Sequence, residues 1–133
     1  MKAEVIIERG PDGTYSAYIG SDNVPFGLIG DGKTVQETMA DFINSADEMK
    51  EYYKEQGKEF PEIEWKFKYD VASFLQYYAF AFTLAGLERI TGVSQGQLSH
   101  YINGVRKPSP RTVQKIETRL HDFAKEIGQV NFV

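Results

Sequence analysis

Three short segments near the start of the chain have the β-branched, alternating or apolar pattern of strands. The segments are residues 3–9 (AEVIIER), 14–20 (TYSAYIG) and 26–30 (FGLIG). A period of two residues is typical of a strand with one buried face, and the Pro-Asp-Gly turn at 11–13 separates the first two strands. Residues 63–70 (IEWKFKYD) alternate again and predict a fourth strand.

Between the third and fourth strands the apolar spacing changes to that of a helix. Thr34 is followed three residues later by Glu37, which predicts a capping box. Apolar residues then recur at intervals of three or four up to Gly57: Val35, Met39, Phe42, Ala46, Met49 and Tyr53. The order β-β-β-α-β gives a sheet with one helix, so its second face has to be polar or meet a partner.

The rest of the chain is predicted to be all helical. Four polar residues stand where helix N-caps are expected: Asp70, Thr83, Ser94 and Ser109. Gly92 and Gly104 separate the short helices, and Pro110 suits the first position of the last helix. In that helix apolar residues recur at intervals of three and four from Val113 to Ile127.

The sequence therefore predicts an α+β protein of two domains that differ in charge. The β-β-β-α-β domain, residues 1–69, holds 8 Lys or Arg and 14 Asp or Glu, a net charge of -6. The all-α domain, residues 70–133, holds 7 Lys or Arg and 5 Asp or Glu, a net charge of +2. A difference in sign between two halves indicates different partners.

Composition removes several classes of function. The chain has no Cys, which excludes disulfides, thiolate metal sites and a thiol nucleophile. No segment approaches the roughly 18 apolar residues of a membrane span, and no signal peptide is evident, so the cytoplasm is the expected compartment. His100 and His121 lack a third ligand nearby in the sequence, so neither a metal site nor a cofactor is expected.

A metal-dependent nuclease is the enzymatic alternative, because such sites use several carboxylates to hold two metal ions. The candidate carboxylates are Glu4, Glu8, Glu37, Asp41 and Asp70. Glu37 is better explained as the capping-box residue and Asp70 as a helix cap. We therefore expect a binding protein and no enzyme.

The stretch GVSQGQLSHYINGVRKPSP, residues 92–110, has the chemistry of a helix that reads DNA. Its apolar residues fall on one side of a helix, and the other side is polar without charge. The residues predicted to read base edges are Gln95, Gln97, Ser99, His100 and Asn103. The positive residues that follow are predicted to bind phosphates: Arg106, Lys107, Arg111 and Lys115. The alternative is a three-helix module that contacts only protein.

Residues 84–120 resemble the Xre/Cro-type helix-turn-helix, through the segment LERITGVSQGQLSHYINGVRKPS. The resemblance implies that the all-α domain binds double-stranded operator DNA. The sequence departs from the family pattern at Glu88, where alanine is usual, and at Leu84, where a phosphate-contacting Gln often stands. These two positions bear on how strongly the chain binds DNA.

The first domain resembles the HicB antitoxin domain, through Gly13, Tyr15 and Ala17 and the segment GKTVQE at 32–37. Thr38 stands where the family usually has Ala. This resemblance implies a partial ribonuclease H-like fold that masks a small basic HicA-type mRNA-cleaving toxin, and a homodimer or higher even oligomer that represses its own operon. An acidic first domain suits a basic toxin. The alternative is an orphan transcriptional regulator whose first domain senses or binds something else.

Overall fold

Four strands and five α-helices follow one another through the computed structural model, which describes all residues 1–133. They are β1 (Lys2–Arg9), β2 (Tyr15–Ile19), β3 (Ile29–Gly32), α1 (Val35–Glu55), β4 (Glu64–Tyr69), α2 (Val71–Tyr77), α3 (Leu84–Thr91), α4 (Gln95–Ile102) and α5 (Pro110–Ile127), with a 3-10 turn at Tyr78–Phe80. The predicted α+β class is confirmed. The chain divides into two compact units, residues 1–77 and residues 78–133.

The first unit is a mixed sheet with the strand order β3-β2-β1-β4. β2 pairs antiparallel with β1 and with β3, whereas β4 pairs parallel to β1. Val5 on β1 lies opposite Ile19 on one side and Phe67 on the other. β3 also runs parallel to β4, at the opposite edge of the sheet, and α1 with its flanking loops is the crossover that joins these two strands.

The buried face of the sheet packs against the apolar stripe of α1. Phe42, at the middle of the helix, is fully buried, and its ring meets Trp65 and Phe67 edge to face at centroid distances of 5.2 Å and 6.0 Å. Thr38 is also fully buried, and its hydroxyl donates to the Thr34 carbonyl at 2.8 Å. The hydroxyl at this buried position is therefore satisfied, as a buried polar group must be.

The capping box at the start of α1 is present. The Thr34 hydroxyl accepts from the Glu37 N–H at 3.1 Å, and the Glu37 carboxylate accepts from the Lys33 N–H at 2.9 Å. The return bond therefore goes to the residue before the N-cap.

The third strand differs from the prediction, since it spans Ile29–Gly32 and not residues 26–30. Phe26 stays outside the sheet and stacks with Phe60 at 5.5 Å. Gly30 brings β3 so close to α1 that an added Cβ would lie 2.6 Å from the Phe42 nitrogen. β3 therefore starts three residues later than predicted. Phe26 contacts Phe60 in the α1–β4 loop, Gly30 contacts α1, and these two long-range contacts fix where the backbone joins the sheet.

The first unit extends past Asp70, where the sequence places the domain boundary, and includes α2. The Asp70 carboxylate accepts from the Arg9 N–H at 3.0 Å and the Ser73 N–H at 2.8 Å, so it joins the end of β1 to the start of α2. The Gln76 side chain accepts from the Val35 N–H at 2.9 Å, at the start of α1. These bonds place α2 with the sheet.

The second face of the sheet is largely polar, as the β-β-β-α-β order allows. Its charged side chains are Lys2, Glu4, Glu8, Asp31, Glu64, Lys66 and Lys68. Lys68 and Glu4 form an exposed ion pair at 2.9 Å. Tyr18 and Ile29 are the exposed apolar residues of this face. Charges of both signs alternate here, which is typical of a solvated surface.

The second unit packs α3, α4 and α5 around a small core. Its buried residues are Leu87, Thr91, Val93, Leu98, Tyr101 and Ile116. The buried Thr91 hydroxyl donates to the Leu87 carbonyl at 2.7 Å and accepts from the Val93 N–H at 3.1 Å. Phe82 meets Phe123 of α5 at 6.4 Å. No helix of either unit is long and apolar enough to cross a membrane.

Candidate nucleic-acid interface

The turn between α3 and α4 sets the direction in which α4 presents its polar face. α3 ends at Gly92, whose φ of 74° is left-handed, a conformation that favours glycine. Ser94 then caps α4, and its hydroxyl accepts from the Gln97 N–H at 3.2 Å. Leu98 (1% exposed) and Tyr101 hold the buried side of α4, so the opposite side faces solvent.

The five residues predicted to read bases are not presented equally. Gln95, His100 and Asn103 are exposed, whereas Gln97 and Ser99 are half-buried. The Asn103 amide donates to the Ser99 hydroxyl at 3.3 Å, and the Gln97 side-chain oxygen is buried without a hydrogen-bond partner. Gln95 and His100 are therefore the side chains best placed to reach a base edge.

Arg106, Lys107, Arg111 and Lys115, the predicted phosphate ligands, are all exposed. The Arg106 backbone is held at the end of α4, because its N–H donates to the His100 carbonyl at 3.3 Å. Arg111 is the second residue of α5, next to the Ser109 cap, whose hydroxyl accepts from the Thr112 N–H at 3.2 Å. Pro110 has no N–H and the Thr112 N–H is taken by Ser109, so the Arg111 guanidinium is the main attraction for an anion at this helix start.

Lys115 reaches back to the α3–α4 turn. Its ammonium nitrogen lies 3.3 Å from where a Cβ on Gly92 would be. A cation at the C-terminal end of α3 is stabilised by the carbonyl groups there. Lys115 therefore stabilises the turn between α3 and α4, and its role in phosphate binding stays a prediction.

The two departures from the family pattern have different structural consequences. Leu84 is the first residue of α3 and is half-buried, so this position offers no side-chain donor to a phosphate. The Glu88 carboxylate accepts from the Gln95 N–H at 3.2 Å. Glu88 is thus a second cap of α4, supplied from the preceding helix.

Sequence reasoning missed this role of Glu88 and assigned no function to Gly96. A Cβ at Gly96 would meet nothing within 4 Å, so the surface beside the first turn of α4 is open to a ligand. The signal for Glu88 was an acidic residue seven positions before the first residue of a helix. Gly96 could have been noticed because it is the only residue on the polar face of α4 that has no side chain.

Four of the five carboxylates considered for a nuclease make structural bonds. Asp41 accepts from the Asp31 N–H at 2.8 Å, and Glu4 is paired with Lys68. Glu37 and Asp70 cap helices, as described above. Within residues 1–133 no group of three or more His, Asp or Glu side chains is placed to hold a metal ion.

Comparison with known families gives one match, and it lies in the second unit. Residues 81–121 match the helix-turn-helix family model, and this range includes all of α3 and α4 and most of α5. The match supports the Xre/Cro-type motif and implies a regulator that binds double-stranded DNA. A search among curated proteins and a search among solved structures each give no match.

Proposed function

We propose that the protein is the antitoxin and autorepressor of a toxin–antitoxin operon. The second unit binds operator DNA, and the first masks a small basic HicA-type toxin that cleaves mRNA. The observation that carries this proposal is the charge of the two units. Residues 1–77 hold 8 Lys or Arg and 15 Asp or Glu, net -7, whereas residues 78–133 hold 7 and 4, net +3. Each unit thus suits a partner of the opposite sign.

On DNA, α4 is the helix that enters the major groove. Gln95 and His100 contact base edges, since amides pair with adenine and histidine can donate to guanine. Arg106, in the α4–α5 loop, and Arg111, in the first turn of α5, bind phosphates and fix the orientation of the helix.

Two copies of the chain read two half-sites, because helix-turn-helix dimers match the symmetry of their operators. We propose a homodimer or a higher even oligomer. Light scattering at micromolar concentration should report at least twice the 15.1 kDa of one chain, and a monomer would contradict this part of the proposal.

The toxin contacts the exposed face of α1. This helix carries six acidic residues and two lysines, a net charge of -4; the acidic residues are Glu37, Asp41, Asp47, Glu48, Glu51 and Glu55. The polar face of the sheet has nearly balanced charge and attracts a basic partner less. Because charge steers the encounter, added salt should weaken the complex.

Growth rescue tests the proposal with the full chain. A neighbouring reading frame that encodes a small basic protein is expressed alone and with the chain, and the chain should restore growth. Leu98→Ala, which disrupts the second unit, should still rescue growth. The double variant Asp47→Lys and Glu51→Lys should rescue poorly, whereas the control Glu126→Lys, on α5, should rescue normally. Failure of the unmodified chain to bind or neutralise this neighbour would overturn the antitoxin proposal.

An orphan transcriptional regulator is the second candidate, because the helix-turn-helix match favours it equally. In that function the first unit binds some other protein or ligand. A footprint on the upstream region of its own gene together with a negative pull-down of the neighbouring protein would favour the orphan regulator. In both candidates the protein acts by binding and not by catalysis.

A further inference from the structure

Two side chains of the protein itself occupy the N-terminal end of α4. Glu88 accepts from the Gln95 N–H at 3.2 Å, and Ser94 accepts from the Gln97 N–H at 3.2 Å. Between these two donors, the Gly96 N–H has open space beside its Cα. The positive end of the helix, which otherwise attracts an anion, therefore already holds a carboxylate.

Glu88 is also isolated among positive and neutral residues. It is the only Asp or Glu from residue 78 to residue 116, the range that contains every predicted base-reading and phosphate-binding residue. Its side chain is half-buried, so the carboxylate is held in place at the start of α4. A DNA phosphate that approaches this end of the helix meets a fixed negative charge.

We propose that Glu88 is a positioning residue that sets the affinity and the selectivity of DNA binding. Its hydrogen bond to Gln95 fixes the first turn of α4, which orients the base-reading side chains. Its charge repels the phosphate backbone of any duplex, which keeps non-specific binding weak. This inference rests on the proposed DNA binding and assigns a function to the position where the family usually has alanine.

Two substitutions separate the charge from the hydrogen bond. Glu88→Gln removes the charge and keeps an oxygen that can accept from Gln95, whereas Glu88→Ala removes both. The matched control is Glu126→Gln, the same change of charge near the end of α5. Glu126 lies sixteen residues after Pro110, about 24 Å along the helix, which exceeds the Debye length of about 8 Å at 0.15 M salt.

The measurement is fluorescence anisotropy with two duplexes, a fragment of the upstream region and a scrambled duplex of the same length. Glu88→Gln should bind both duplexes about threefold more tightly, as expected for one removed like charge at a solvated interface. The ratio of the two dissociation constants should stay unchanged. Glu88→Ala should also bind the scrambled duplex more tightly, but its preference for the upstream fragment should fall about fivefold, the loss expected when one base contact worth about 1 kcal/mol is weakened. Amide hydrogen exchange at Gln95 should speed up only in Glu88→Ala.

Three results would overturn the inference. One is an unchanged or weaker affinity of Glu88→Gln, and another is an equal gain in Glu126→Gln, which would reduce the effect to net charge. The third is an unchanged ratio in Glu88→Ala. If the unmodified chain binds neither duplex at low salt, the proposed DNA binding itself is wrong and the inference falls with it. The titration of the unmodified chain thus distinguishes failure of the proposed function from failure of the inference.

Discussion

The long helices of the two units have the same apolar period but are covered to different extents. On α1, Val35, Phe42 and Ala46 are buried against the sheet. On α5, Ile116 is buried, whereas Val113 and Ile127 are 38% and 55% exposed. Periodicity therefore shows that a helix has a face to bury, but not whether the chain itself supplies the surface that covers it.

The units differ equally in how they use charge. In the first unit the sheet face carries both signs, and more than half of the acidic excess lies on α1. In the second unit the polar face of α4 has no Lys, Arg, Asp or Glu, and the neighbouring cations follow in the loop and in α5. The net charge of the whole chain is -4. This sum does not reveal the positive region that follows α4, whose sign suits DNA.

The largest expected effect tests whether the two units are independent. Phe42→Ala should lower the stability of the first unit by about 3–5 kcal/mol, and Leu98→Ala should lower that of the second by about 2–5 kcal/mol, because each leaves a core cavity. Urea unfolding followed by Trp65, the only tryptophan, reports the first unit. DNA binding reports the second.

Each substitution should affect one readout only. Phe42→Ala should shift the Trp65 transition and leave DNA affinity unchanged. Leu98→Ala should abolish DNA binding and leave the Trp65 transition in place. If Leu98→Ala shifted the Trp65 unfolding transition as much as Phe42→Ala does, the two units would unfold together.

A smaller loss is expected where β3 meets α1. A Cβ at Gly30 would lie 2.6 Å from the Phe42 nitrogen and 2.7 Å from the Thr38 carbonyl oxygen, both backbone atoms that cannot move alone. Gly30→Ala should therefore destabilise the first unit by about 3 kcal/mol. Gly27→Ala is the matched control, since its Cβ would meet nothing within 4 Å. Equal urea midpoints for the two variants would contradict this packing.

Base-reading and phosphate-binding residues should separate in DNA titrations. Gln95→Ala or His100→Ala should weaken binding to a specific site by about 1–3 kcal/mol and relax sequence preference there. Gln97→Ala should have less effect, because its side-chain oxygen faces inward. Arg106→Ala should weaken all sequences alike and lower the slope of log K against log salt by about one. A Gln97 effect larger than that of Gln95 would reverse the assignment.

The smallest expected effect concerns Gly96, where stability and DNA binding should move in opposite directions. Gly96→Ala adds a methyl group in open space and should stabilise the second unit by about 0.5 kcal/mol, because alanine favours the helix. The same methyl group should lower DNA affinity by obstructing the first turn of α4. Thermal unfolding and anisotropy of the same sample measure both, and unchanged affinity would place the DNA elsewhere.

The sequence by itself determined where most helices begin. Thr34, Thr83, Ser94 and Ser109 each cap the helix predicted for them. The capping bond joins a side chain to an N–H three residues later, so both partners lie within one short segment. The helix-turn-helix was readable for the same reason, since its glycine turn and caps are local.

Only the tertiary structure decided the features that depend on residues far apart in the chain. β3 begins at Ile29 because Gly30 must approach α1, and α2 joins the first unit because Asp70 and Gln76 bond to segments of β1 and α1. The bond from the Gln95 N–H to Glu88 spans only seven residues, but it too depends on how the turn packs two helices against each other. Such contacts arise from the packing of whole elements, and the order of residues along one element does not specify which atoms of another will meet them.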